Sequence, residues 1–167
     1  MMPPEDAILD STMLRRALSH FATGVAVVAT RDPEGLPVGL TVNSFTSVSL
    51  DPPLIAWSLI SRSRHLSSFR AATHFSANIL GVHQQELCNR FATPQDDRFV
   101  DVGLESSHSD VPVLSDVVAS FECRIHDIIE AGDHHMFLGH VIDIRCSDHT
   151  PLIYCKGIMQ GLPLVET

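Results

Sequence analysis

Apolar residues recur along most of this chain at every second position, and only a few segments show helical spacing. Behind Asp10 or Ser11 as a cap, Leu14, Ala17, Leu18 and Phe21 share one helical face, and predict a helix ending at Gly24 with Arg15 and Arg16 turned outward. "VAVVAT" (25–30), "RDPEG" and "LPVGLTVNSF" predict an antiparallel hairpin over 25–45. "PLIAWSLI" (53–60) is almost wholly apolar and predicts a strand buried on both faces. A short helix over 66–72 precedes the strand "HFSANIL", which sets Phe75, Ala77 and Ile79 on one face. In "HQQELCNRFA", Leu87 and Phe91 stand at i and i+4, as on a helix.

From 93 to 112, Pro, Asp, Ser and Gly predict mostly loop. Val117, Ala119, Phe121, Cys123 and Ile125 then alternate with Val118, Ser120, Glu122, Arg124 and His126, the pattern of a half-buried strand. After a turn at 131–133 the chain returns through "HHMFLGHVIDIRC", with Met136, Leu138, Ile142, Ile144 and Cys146 on one face, and "PLIYC" adds a last short strand. Six or more strands with hairpin-length connections and few short helices predict a mainly β fold, an antiparallel barrel or sandwich. The order is not a βαβ alternation, which argues against a Rossmann-type fold.

One stretch does not fit simple burial. In "LTVNSFTSVSLDPP" (40–53), hydroxyl and amide residues thread an apolar strand, and such groups are costly to bury unpaired. Phe45 and Leu50 are expected to pack, Pro52 and Pro53 to turn the chain, and the polar side to face a partner.

A chain of 167 residues has room for one domain, 1–167, with 1–10 expected as a flexible tail. No window reaches the ~18 apolar residues of a membrane helix. The acidic start lacks the pattern of a secretory signal, so a cytoplasmic location is expected and Cys88, Cys123, Cys146 and Cys155 are expected as free thiols. The net charge of −9 argues against a nucleic-acid surface and makes the basic cluster "SRSRHLSSFR" (61–70) more informative.

Familiar nucleotide and hydrolase motifs are absent: no G-x-G pair, no G-K-[ST], no G-x-S-x-G. Ten histidines raise a second class of reading, a His-rich metal-binding module built from His126, His134, His135 and His140. Strand geometry opposes it, because residues six apart on a strand are separated by roughly 20 Å and neighbours point to opposite faces.

"FATGVAVVAT", "GLTVNSFTSVSLDPPLI", "NRFATPQDDRF", "PVLSDVVASFECRI", "GDHHMFLGHV" and "PLIYCKG" together resemble, in order and spacing over about residues 12–158, the flavin reductase family. The resemblance implies an antiparallel Greek-key split β-barrel of the FMN-binding type, a homodimer, and reduction of FMN or FAD by NADH or NADPH. It further implies that reduced flavin passes to a separate flavin-dependent monooxygenase. The resemblance places Thr41, Val42, Asn43, Ser44, Ser47 and Val48 along the flavin, and Ser58, Ser61, Arg62, Ser63 and Arg64 at its phosphate. It brings Phe91 towards the flavin and His134 to the nicotinamide, as a positioning group. Small side chains suit the donor and acceptor edge of a flavin, and guanidinium forks suit phosphate. One departure stands out: "YCKGIM" puts Cys155, Lys156 and Met159 where relatives often carry a basic residue or histidine followed by an aromatic, with Tyr154 as a partial substitute. That departure supports an alternative, a flavin-binding protein of the same fold without fast NAD(P)H turnover.

Overall fold

The structure, a computed structural model, describes residues 9–162. Most of the expected tail, residues 1–8, lies outside them. The chain forms helix α1 (Ser11–Leu18), strands β1 (Thr23–Gly24), β2 (Ala26–Arg31), β3 (Pro37–Val42), β4 (Thr46–Leu50) and β5 (Pro53–Ile60), and helix α2 (Leu66–Ala71). It continues through β6 (His74–Ile79), helix α3 (Gln85–Ala92), β7 (Leu104–Glu105), β8 (Val113–Leu114), β9 (Ala119–Ala131), β10 (His134–Cys146), β11 (Leu152–Cys155) and β12 (Ile158–Gly161).

Seven strands form one antiparallel sheet in the order β3-β2-β6-β9-β10-β5-β4. Its edges β3 and β4 do not pair, so the sheet is not closed. A smaller sheet, β1-β11-β12, sits beside it. The fold is thus mainly antiparallel β, as the alternation predicts. The 25–45 hairpin forms with Ala26 opposite Val42, and Asp32 builds its turn by accepting the N–H groups of Glu34 and Leu36.

Trp57 is fully buried and stacks on Phe137 at 4.6 Å between ring centroids, with Phe69 and Phe75 edge-on at 4.9 and 5.8 Å. These rings come from β5, β10, α2 and β6. Burying four aromatic side chains supplies several kcal/mol, roughly 2 to 3 each. A second cluster joins Val25, Leu80, Cys88, Phe91, Leu114 and Leu152 under α3.

Four expectations are corrected. Helix α1 stops at Leu18 rather than near Gly24, because the Ser19 hydroxyl bonds back to the Arg16 carbonyl and the chain tightens into a turn; Gly24 belongs to β1. Leu50 does not pack: it is 95% exposed at the end of β4, whereas Phe45 meets Phe121 at 5.5 Å. The apolar row of β10 is its open side, with Ile142 and Ile144 exposed and His135, Phe137 and Gly139 facing in. Two register shifts against β9 separate that row from simple alternation. Finally, "PLIYC" is not the last strand, since Lys156 and Gly157, at φ 51° and 79°, form a two-residue turn into β12.

The polar side of β9 is not solvated at its start. Glu122, 2% exposed, accepts hydrogen bonds from the Ser107 and Ser109 hydroxyls at 3.0 and 2.9 Å and from the His108 and Ser109 amides at 3.0 and 3.2 Å. Asn78 donates to the Val27 carbonyl and accepts from the Leu114 amide. These buried groups dock the irregular segment 106–114 onto the sheet. Replacing Glu122 by Ala leaves its donors without their acceptor, and is expected to lower stability on the order of 3 kcal/mol in urea denaturation. The same variant should become susceptible to proteolysis at 106–110.

Candidate functional site

β3 carries two cavities, one at each end. At its C-terminal end Thr41, Val42 and Asn43 line a cavity of about 310 Å3 with Val25, Cys88, Ala92, Tyr154 and Met159. Tyr154 and Met159 face each other across the β11–β12 hairpin, so the divergent "YCKGIM" segment forms part of this wall. Thr41 donates its hydroxyl to the Cys88 carbonyl at 2.7 Å, tying the strand to α3, while Asn43 is exposed. Burial pushes the Cys88 thiol up, so it stays protonated beside the Met159 sulfur at 3.7 Å.

The cavity at the other end, about 530 Å3, is lined by Pro37, Val38 and Gly39 and by Arg64, His65 and Arg98. Both volumes lie in the usual range of small-molecule sites. Arg98 is 7% exposed and donates to the Gly39 carbonyl at 2.7 Å and twice to the Thr93 carbonyl, at 3.1 and 2.8 Å. Among the described residues no carboxylate pairs with it, and its donors meet carbonyls and the ring of His65. Burial, and then the charge of Arg64, hold its guanidinium below its usual range. His65 lies against Arg98 at 3.1 Å, and burial with the two neighbouring guanidiniums lowers its pKa to about 4. It is neutral at pH 7 and accepts through Nε2. Arg64 reaches across to the Gln95 carbonyl and the Asp96 carboxylate at 2.7 and 3.1 Å.

Phe91 stands between the two cavities, but from behind. It is 1% exposed and packs edge-on against Phe99 at 4.9 Å, over the bare backbone of Gly39. A Cβ at Gly39 would meet both rings at about 3 Å, so only glycine lets the aromatic pair seat on β3.

None of the remaining expected residues lines either cavity, and Ser44, Ser58 and Ser63 are half-buried. Ser44 and Ser58 are joined, the Ser58 amide donating to the Ser44 hydroxyl at 3.0 Å. Ser47 and Val48 are exposed on the edge strand β4, beside a register shift between Ser47 and Ser49. Ser61 and Ser63 shape the turn that ends β5: the Ser61 amide donates to the Asp133 carbonyl, and the Ser63 hydroxyl accepts from the His65 amide. Arg62 is exposed there. His134 opens β10 opposite Ile60, so the hairpin brings it beside this turn. Its ring bonds Asp133 at 2.7 Å and holds that carboxyl below the usual range, with Arg62 adding to the effect.

His65 and Arg98 were not among the residues expected from the sequence. An arginine inside the acidic loop run "PQDDRF" was the available signal, and its burial against β3 is a tertiary fact. Of the four histidines considered for a metal, none belongs to a group of three or more potential ligands among the described residues.

Residues 18–163 match the model of the flavin reductase like domain. The chain is 43% identical over 150 residues to the reductase subunit of stachydrine N-demethylase from Rhizobium meliloti, covering 90% of this chain and 65% of that protein. It is also 43% identical to the NADH-dependent FMN reductase SmoA of Agrobacterium fabrum, over 89% of this chain and 84% of that one. Two further relatives are spanned over 48% and 50% of their length, so the chain covers about half to two thirds of the first curated relatives it matches. A solved NADH:FAD oxidoreductase of Streptomyces globisporus, in complex with NAD and FAD fragments, superposes with a TM-score of 0.87 at 33% identity, over 92% of this chain and 93% of that one. Sequence and fold agree over the strands that carry both cavities: the chain belongs to the flavin reductase like family.

Proposed function

We propose that this protein is an NADH-dependent flavin reductase that reduces FMN or FAD and delivers the product to a separate flavin-dependent monooxygenase. The observation that carries this reading is the pairing, along one strand, of a mainly apolar cleft edged by Asn43 and Tyr154 with a cavity holding a buried guanidinium that no carboxylate among the described residues pairs with. Such a pairing suits a ligand with a flat heteroaromatic end and an anionic end. Bound flavin supplies the hydride acceptor, and the chain supplies orientation and charge.

In this reading Thr41, Val42, Asn43 and Ser44 lie along the ring and ribityl chain, with the exposed backbone of Ser47 and Val48 beyond them. Tyr154 and Met159 close the apolar side, and Phe91 backs the wall. Ser58, Ser61, Arg62, Ser63 and Arg64 receive the phosphate, with Arg98 behind Arg64 adding positive potential. His134 orients the nicotinamide at the mouth of the β9–β10 hairpin, held in place by Asp133. A second copy of the chain covers the exposed apolar residues Met13, Leu18 and Phe21 near α1 and Ile142 and Ile144 on β10, giving a homodimer.

The deciding assay mixes the protein with FMN or FAD and NADH and follows loss of nicotinamide absorbance. Absence of turnover despite bound flavin would leave a flavin-binding protein only. Arg62→Ala and Arg64→Ala should each weaken flavin binding about tenfold in fluorescence titrations. His134→Ala should instead slow reduction by NADH in stopped-flow measurements while leaving flavin affinity near wild type. The reverse pattern would show that the two ends of the site are exchanged.

His65 also ties stability to pH. Its folded pKa of about 4 lies below its unfolded value of 6.5, so the unfolded chain binds more protons between the two. The contribution is complete above 6.5 and is lost as pH falls towards 4. Urea unfolding of wild type and His65→Gln across that window should show a shallower pH dependence in the variant. For the assembly, analytical ultracentrifugation should give a dimer for wild type and a shift to monomer for Ile144→Asp.

A further inference from the structure

Three connections meet on the surface away from β3: the short 3-10 turn Val82–Gln84, the turn before β9, and the link between β10 and β11. They bring together His83, Asp116 and His149, whose potential ligand atoms all lie within 4.8 Å of one another. The Asp116 carboxylate sits between the two rings. His83 Nε2 is 3.1 Å from Oδ2, and His149 Nε2 is 2.8 Å from Oδ1. The rings themselves are 4.7 Å apart.

We propose that His83, Asp116 and His149 form a binding site for a divalent transition-metal ion of the zinc class, stapling these three connections. The donor set is two imidazoles and one carboxylate, which selects such ions over Mg2+ or Ca2+, whose preference is for oxygen alone. Zinc takes such donors at about 2.0–2.2 Å, which sets neighbouring ligand atoms some 3.3–3.5 Å apart in a tetrahedron. The observed N···O distances of 3.1 and 2.8 Å need to open by about 0.2–0.7 Å, the two rings need to stay within the 4.8 Å that bounds the set, and the side chains are accessible enough to adjust. Each neutral ring offers the Nε2 lone pair once its proton shifts to Nδ1, and the set carries one negative charge in a chain of net charge −9. Remaining positions are open to water.

The three connections are placed by bonds that do not depend on the triad. The Val82 amide donates to the Thr150 carbonyl at 2.8 Å, and the Gln84 side chain donates to the Ser115 carbonyl at 3.2 Å. The His83 ring folds back over Gly81, where any Cβ would collide with it. The site is thus largely preformed, which lowers the ordering cost of binding. It lies outside the strands proposed for flavin and stands independently of that reading.

The test uses the chelator-treated full chain with Zn2+ as the probe. Calorimetry should give one site per chain, and a hundredfold excess over its Kd should raise Tm by about 5–10 °C. His83→Ala, His149→Ala and Asp116→Asn should each weaken binding at least tenfold and abolish the Tm shift. Asn is suited to the left-handed backbone of Asp116, at φ 61°, so that variant keeps its turn. Co2+ should give a visible d–d absorption band in wild type that His149→Ala loses. The proposal is overturned if Zn2+ leaves Tm unchanged, if Mg2+ acts equally well, or if the variants bind Zn2+ as wild type does, which would move the metal to another histidine or to the exposed Cys146.

Discussion

The stacked pair of Trp57 and Phe137 is the constraint on which the other parts rest. β5 and β10 are held in register by it, and the rings of Phe69 and Phe75 lock α2 and β6 onto the same point. Side chains alternate along a strand, so fixing Trp57 inward fixes the Ser58 side chain on the other face, while the Ser58 backbone meets the Ser44 hydroxyl along the sheet. A slip of one residue would turn the indole to solvent and Ser58 into the core. The same ring cluster explains Gly139: opposite Ile55 on β10, it is the place where a Cβ would strike Phe75. Placement of the turn at 61–65 therefore begins in the core, several residues before any polar group is reached.

Polar side chains do a second job, that of holding irregular chain. Asn78 and Glu122 reach out of the sheet to bind the amides of Leu114, His108 and Ser109, and Arg98 reaches back to the Gly39 carbonyl. Glu122 finds its partners in loop backbone that lacks a ladder, while Asn78 and Arg98 each tie this segment to strand backbone, at Val27 and Gly39. The segment from 93 to 118 is ordered by these bonds and by the aromatic pair on Gly39, with little regular structure of its own.

Period-two patterns made the strands legible, and the β5 boundaries expected from "PLIAWSLI" are those observed. Helix α3 was likewise marked by Leu87 and Phe91. Two of the departures share a cause: the one-dimensional pattern does not say which face of a strand is covered. Glu122 looked like solvated alternation and is buried, while the apolar row of Ile142 and Ile144 looked like core and is open. At the candidate site, small polar residues in "TVNS" and the cluster around Arg64 were visible as anomalies of composition. His65 and Arg98 were not, because their significance comes from a loop folding over β3, and β12 was missed because Lys156 and Gly157 do not spell a familiar turn.

The open sheet has a further consequence through its edges. A closed barrel spends every strand amide and carbonyl on a neighbour, whereas β3 and β4 each have one side that no strand pairs, although the Gly39 carbonyl of β3 is taken by Arg98. Those leftover groups are what a heterocycle with alternating donors and acceptors can use, and they are equally what a stray strand from another molecule would use. The five-residue length of β4 and its irregular register at Ser47–Ser49 restrict the second option, since a short, kinked edge makes a poor template for continued pairing. On the proposed reading, recognition of a small planar ligand and resistance to aggregation become two demands on the same few peptide groups.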